Sequence, residues 1–171
     1  MGVLIVVAVR LTLPLVMFRR PLLGGILAMV ADTADLVVFN IFGFPDDYQR
    51  LDKALDLYYL TIQLIIAQRW ARLPRTIAGG LYAWRLIGAV LFEATGTRWV
   101  LLVFPNLFEL WWLFVVAATR FRPDYELTPR RTAFWLVVLL TPKLAHEYVL
   151  HVWRVLDNYT LHDVVDAAWP G

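Results

Sequence analysis

Six carboxylates stand in stretches that are otherwise apolar: Asp32, Asp35, Asp56, Glu93, Glu109 and Glu147. Arg85, Asn106, Lys143 and His151 share those stretches. Three kinds of chemistry are open to such a set. Carboxylates and neutral imidazole ligate divalent cations. A partly buried Glu or His serves as general base near neutral pH. Arg and Lys hold an anionic group or a developing negative charge.

Spacing places these residues on shared helix faces, because side chains three, four, seven or eight apart overlie one another. Lys143, Glu147, His151 and Arg154 form the clearest stripe, with His146 off it. Asp32, Asp35 and Asn40 lie close to a second, and Asp52, Asp56, Tyr59 and Gln63 form a third. Arg85 and Glu93 are eight apart, Asn106 and Glu109 three. The roles that follow are catalytic for Glu147, His151, Lys143 and Arg85. Asn106, Glu109, Glu93 and Asp56 would bind substrate, and Asp32 and Asp35 would bind a metal. Glu147 and His151, at i and i+4, also suit one metal. Against six carboxylates this reading counts two cations, Arg85 and Lys143. Several carboxylates must then be protonated, solvated or bound to a cation. The plainer alternative is a set of interhelical ion pairs, such as Arg85 with Asp35 or Lys143 with Glu109.

The elements that carry these residues read as membrane helices. Hydrophobic residues make up 60% of the 171 positions and charged residues 18%, against about 45–50% and about 25% in soluble domains. A soluble enzyme, a disordered tail and a fibrous protein are excluded on that count. A helix needs about 20 mostly apolar residues to cross the hydrocarbon core. Six segments qualify: 2–18, 21–44, 54–68 (reaching spanning length when extended back to Arg50), 76–95, 99–119 and 132–153. The expected fold is one all-α domain over 1–171, a polytopic bundle with short loops. The first segment, with Arg10 and Pro14, is short enough to be interfacial instead. It is not a typical secretory signal, since its arginines follow the apolar run. Residues 160–169 read as a short amphipathic helix on the outer surface, and His162 as a surface residue.

Loops one, three and five carry the arginines: Arg19 and Arg20; Arg69, Arg72 and Arg75; Arg120, Arg122, Arg130 and Arg131. Even loops and the tail are acidic or nearly neutral. The positive-inside bias puts the odd loops in the cytoplasm and both termini outside. Trp70 and Trp135 then mark the inner interface, Trp99 and Trp153 the outer. In this frame five helices bring polar groups to one cavity in the outer half of the membrane. The inner half is an apolar plug. Pro105 and Pro142 break backbone bonding beside the ionisable groups. Gly24–Gly25 and Gly79–Gly80 permit close helix packing, and Trp111–Trp112 faces lipid or fills a groove.

Asp32-x-x-Asp35 followed by Asp52-x-x-x-Asp56 resembles the acidic skeleton of the CDP-alcohol phosphatidyltransferases. The resemblance covers about 25 residues and implies four aspartates that bind divalent metals and a cytidine diphosphate group. The chain departs from that pattern. Leu36 replaces a glycine after the second Asp, Phe39–Asn40 replaces an Ala–Arg pair, and Tyr48 replaces a second glycine.

With no cysteine, disulfides, thiolate metal sites and cysteine nucleophiles are excluded. No phosphate-binding loop, nucleophile elbow or zinc-protease motif is present. The net charge of +2 reflects membrane orientation, not nucleic-acid binding. The leading expectation is an intramembrane enzyme or binding site for a lipid or hydrophobic substrate. The alternatives are a proton- or cation-coupled transporter, perhaps as a homo-oligomer, and an accessory subunit of a larger membrane complex.

Overall fold

Among the described residues of the computed structural model, seven α-helices and one 3₁₀ segment follow one another, with no strand. The structure describes residues 2–42, 48–97 and 99–151; within these, the side chains of 2, 3, 35–42, 48–50, 52, 101, 146, 147 and 149–151 are not described. Helix α1 (Gly2–Thr12) runs into the 3₁₀ segment Leu13–Phe18 because Pro14 lacks an N–H and tightens the chain. Pro21 opens α2 (Pro21–Phe42), where a missing N–H costs no helical bond. Helices α3 (Tyr48–Ala67) and α4 (Arg72–Thr95) follow. Gly96 ends α4 in the left-handed region, φ 63°, and its N–H bonds the Phe92 carbonyl at 2.8 Å.

The fifth expected segment is not one helix. It divides into α5 (Trp99–Val103) and α6 (Leu107–Phe121) around Phe104–Pro105–Asn106. Proline cannot donate the helical bond and clashes with the carbonyl four residues back. Helix α4 packs tightly on this break: a Cβ on Gly88 would stand 2.3 Å from Phe104 Cβ. Pro142, by contrast, lies inside the continuous helix α7 (Pro129–His151) and does not interrupt it.

The core is aromatic. Phe108, Trp111 and Trp112 of α6 are completely buried against Leu60, Ile62 and Ile66 of α3. Of the two placements expected for the Trp111–Trp112 pair, lipid-facing or groove-filling, the structure has the buried one, and each indole N–H has a partner: Pro74 O at 3.3 Å and Gln63 O at 2.8 Å. The glycine expectation divides in two. A Cβ on Gly24 would meet the Met17 backbone at 2.4 Å and one on Gly25 the Trp112 ring at 2.6 Å, whereas Gly79 and Gly80 face open space.

Many large apolar side chains lie on the outer surface. Ile5, Ile26, Val30, Trp84, Val90 and Val137 are among the exposed large hydrophobic side chains. Among the described residues one helix, α4, is long and apolar enough to cross a membrane. Leu4–Phe18 and Pro21–Ala34 are apolar but shorter. Helix α6 is shortened by the Pro105 break, and α3 carries charges along its first turns. The expected surface helix at 160–169 lies outside the described residues.

Candidate functional site

Arg10 is the only ionisable residue of α1 and is buried at 4% exposure. Its Nη2 donates to Asp32 Oδ1 of α2 and to Asp56 Oδ1 of α3. One guanidinium therefore ties three helices. A buried cation is tolerated only when paired and hydrogen-bonded, which explains why both carboxylates turn toward it. Asp32 and Asp56 keep 33% and 26% of their side chains exposed.

A second buried unit adjoins the first. Tyr59, one turn after Asp56, donates its hydroxyl to Glu109 Oε1 at 3.0 Å, and Asn106 Nδ2 donates to Glu109 Oε2 at 3.3 Å. Asn106 and Glu109 are both buried, where the Pro105 break begins α6. Asp32 and Asp56 lie within electrostatic reach of Tyr59, and Arg85 and Lys143 within reach of Glu109. Asn106 Oδ1 has no hydrogen-bond partner among the described residues. A buried acceptor beside a carboxylate is suited to receive a donor from a bound molecule.

Depth explains why residues so far apart in sequence meet. Asp32 stands twelve residues from Arg20, Asp56 thirteen from Arg69, and Glu109 eleven from Arg120. At 1.5 Å per residue each lies about 17–20 Å from an arginine-bearing turn. Those turns gather at one end of the bundle, where Arg19, Trp70 and Arg120 line one cavity, and Trp70, Thr119 and Tyr125 an adjoining one.

The structure thus brings together Asp32, Asp56, Asn106 and Glu109, with Arg85 and Lys143 near them. Glu93 stands apart: it pairs with Lys53 Nζ at 2.6 Å, with both side chains well exposed. The side chains of Asp35, Glu147 and His151 are outside the described residues, although their backbones belong to α2 and α7. Sequence reasoning missed Arg10 as a site residue. The signal was present: a lone arginine in an apolar helix needs a buried partner. Among the described residues Arg10 joins Arg85 and Lys143 as a cation near Asp32, Asp56 and Glu109.

The Arg10 pairing bears on the metal expectation. Among the described residues no group of three or more His, Asp or Glu side chains is placed to hold a metal ion. Between Asp32 and Asp56 stands a fixed guanidinium, which repels a divalent cation. The described part of the aspartate skeleton does not fit the metal-binding pattern it resembles. Comparison with family models, curated proteins and solved structures gives no match for this chain.

Proposed function

We propose that this chain is a small multi-pass membrane protein whose central charge network is a binding or catalytic centre for a lipid or another hydrophobic substrate. The observation that carries this reading is an inversion of polarity. Ile5, Val30, Trp84, Val90 and Val137 face outward, while Arg10, Asn106, Glu109 and Gln63 are buried. Water would favour the reverse arrangement; a lipid solvent favours this one.

Within the centre, Arg10 holds Asp32 and Asp56 in place, and Tyr59 and Asn106 orient Glu109. Arg85 and Lys143 supply positive charge for an anionic substrate group, and Glu147 or His151 acts as general base. The closed layer of Trp111, Trp112, Leu60 and Ile66 favours a site entered from one side over a transport path.

Two experiments test the reading. The absence of cysteine makes single-cysteine labelling clean. Thr97→Cys is expected to react with an impermeant maleimide in intact cells, and Asp124→Cys only after permeabilisation. Labelling of both from one side, or release of the protein by alkaline carbonate, would overturn the membrane topology. For the site, reconstituted protein is incubated with a total polar lipid extract and the lipids are profiled by mass spectrometry. The wild type is expected to retain or convert a lipid species that Glu147→Gln, with unchanged melting, does not. Identical profiles for both proteins would overturn the role given to Glu147. A wild type that neither retains nor converts any lipid would overturn the centre itself.

A further inference from the structure

The arginine-bearing end of the bundle contains a cavity of about 820 Å³. Arg19 and Arg20 enter it from the turn before α2, and Arg120 from the last turn of α6. Trp70 stands at its edge, just beyond α3. Among the described residues, none that lines the cavity is acidic. Among the described residues these three arginines form no ion pair, whereas Arg10 in the bundle centre holds two carboxylates. The cavity floor is apolar, with Ile66 and Val116 both buried.

An apolar track leaves the cavity. Leu23, at its rim, is exposed, as are Ile26 and Val30. These positions are three and four apart, so they form one outward stripe along α2. The stripe ends at a shallow apolar cavity of about 300 Å³ lined by Met29, Val30, Thr33 and Ala34. From Leu23 to Thr33 the helix rises about 15 Å.

We propose that this cavity binds the phosphate-bearing headgroup of an anionic phospholipid, with an acyl chain along the Leu23–Ile26–Val30 stripe. Guanidinium groups recognise phosphate through paired N–H donors and a permanent charge. Basic pockets between helices at a membrane face have the chemistry of anionic headgroup sites, and an indole at the rim suits that depth. A free phosphate shares the headgroup chemistry, but the apolar floor and the stripe would then have no role. The proposal rests on the membrane reading above and is separate from the central charge network.

Native mass spectrometry of protein released from mixed vesicles tests it, with equal amounts of phosphatidylglycerol and phosphatidylcholine. The wild type is expected to retain the anionic lipid in preference by at least about tenfold. The triple variant Arg19→Gln/Arg20→Gln/Arg120→Gln is expected to lose that preference. Arg130→Gln, which removes an exposed basic group not lining the cavity, is expected to keep it. Equal retention of both lipids by the wild type, or an unchanged preference in the triple variant, overturns the proposal. Displacement of the lipid by excess inorganic phosphate alone overturns the lipid as the ligand. Failure of the membrane reading shows separately, as release by alkaline carbonate.

Discussion

Two layers meet in the middle of this bundle and are held by different forces. In the charged layer, Arg10 bridges Asp32 and Asp56, and Tyr59 and Asn106 bond Glu109. In the aromatic layer, Phe108, Trp111 and Trp112 fill the space between α2, α3 and α6. The charged layer depends on partners: each group there is tolerable only because another pairs with it or hydrogen-bonds it. On the membrane reading proposed above, the aromatic layer depends on shape, because lipid tails would remove most of the hydrophobic drive and leave close packing to hold helices together. The first should therefore fail when one partner is removed and recover when the others are neutralised. The second should fail by volume and be indifferent to charge.

The largest expected effect follows from the charged layer. Arg10→Met leaves Asp32 and Asp56 facing each other without their cation. Removing one partner of a buried ion pair costs about 3–5 kcal/mol. The partial exposure of both carboxylates puts this case near the lower end. Thermal unfolding in detergent, followed by tryptophan fluorescence, should show the loss. The triple variant Arg10→Met/Asp32→Asn/Asp56→Asn should recover more than half of it. If Arg10→Met melts like the wild type, the guanidinium is not what holds these helices together.

Trp112→Ala comes next. Truncating a core Trp in a water-soluble protein costs about 3–5 kcal/mol, part of it from lost transfer out of water. If lipid is the solvent, as proposed above, the cavity term dominates and roughly 2–3 kcal/mol is expected. The Trp112 N–H bond to Gln63 O at 2.8 Å is lost too. Trp112→Phe should therefore fall between the wild type and Trp112→Ala. Equal melting of Trp112→Ala and wild type would mean that this layer is not packed as a core.

These two layers also differ in how well the sequence announced them. The charged layer was legible because ionisable residues in apolar helices are few, and helical rise sets their depth. Asp32, Asp56, Asn106 and Glu109 were named from spacing, and they meet. Arg10 was not placed among them, because its segment is short enough to be interfacial and its partners lie 22 and 46 residues away. The aromatic layer was legible only as one of two options: the Trp111–Trp112 pair reads as facing lipid or filling a groove, and the second is what the structure has. Helix α6 lies between α2, α3 and α4, buried on more than one side. Nothing in the apolar pattern of α6 distinguishes lipid from a neighbouring helix, since both are apolar. The glycines follow the same logic: Gly25 meets Trp112 and Gly79 meets nothing, though both sit in Gly–Gly pairs.

That glycine contrast gives a smaller test of shape dependence. Gly25→Ala would place a Cβ 2.6 Å from the Trp112 ring and 2.9 Å from Leu113 Cδ2. Overpacking of this kind costs about 1–3 kcal/mol. Gly79→Ala has free space and a helical backbone, so it should gain about 0.5–1 kcal/mol from reduced chain entropy. Opposite signs in the two melting shifts are expected. A gain at Gly25 would show that the aromatic layer yields to an added methyl group.

The smallest effect is expected where the two layers touch. Gln63 lies one turn beyond Tyr59 on α3 and is completely buried, and its backbone carbonyl accepts the Trp112 N–H. Among the described residues neither of its side-chain amide atoms has a hydrogen-bond partner. An unmet buried amide costs about 1–3 kcal/mol. Gln63→Met keeps a similar length and removes both polar atoms, and should raise stability by up to about 1 kcal/mol after allowing for imperfect packing. The carbonyl bond to Trp112 is unaffected because it belongs to the backbone. If Gln63 belongs to the aromatic layer, Gln63→Met melts at or above the wild-type temperature in every detergent or lipid. A loss of more than about 1 kcal/mol would place the amide in the charged layer, bonded to a molecule in the centre. The lipid profile of Gln63→Met should then change with that of Glu147→Gln.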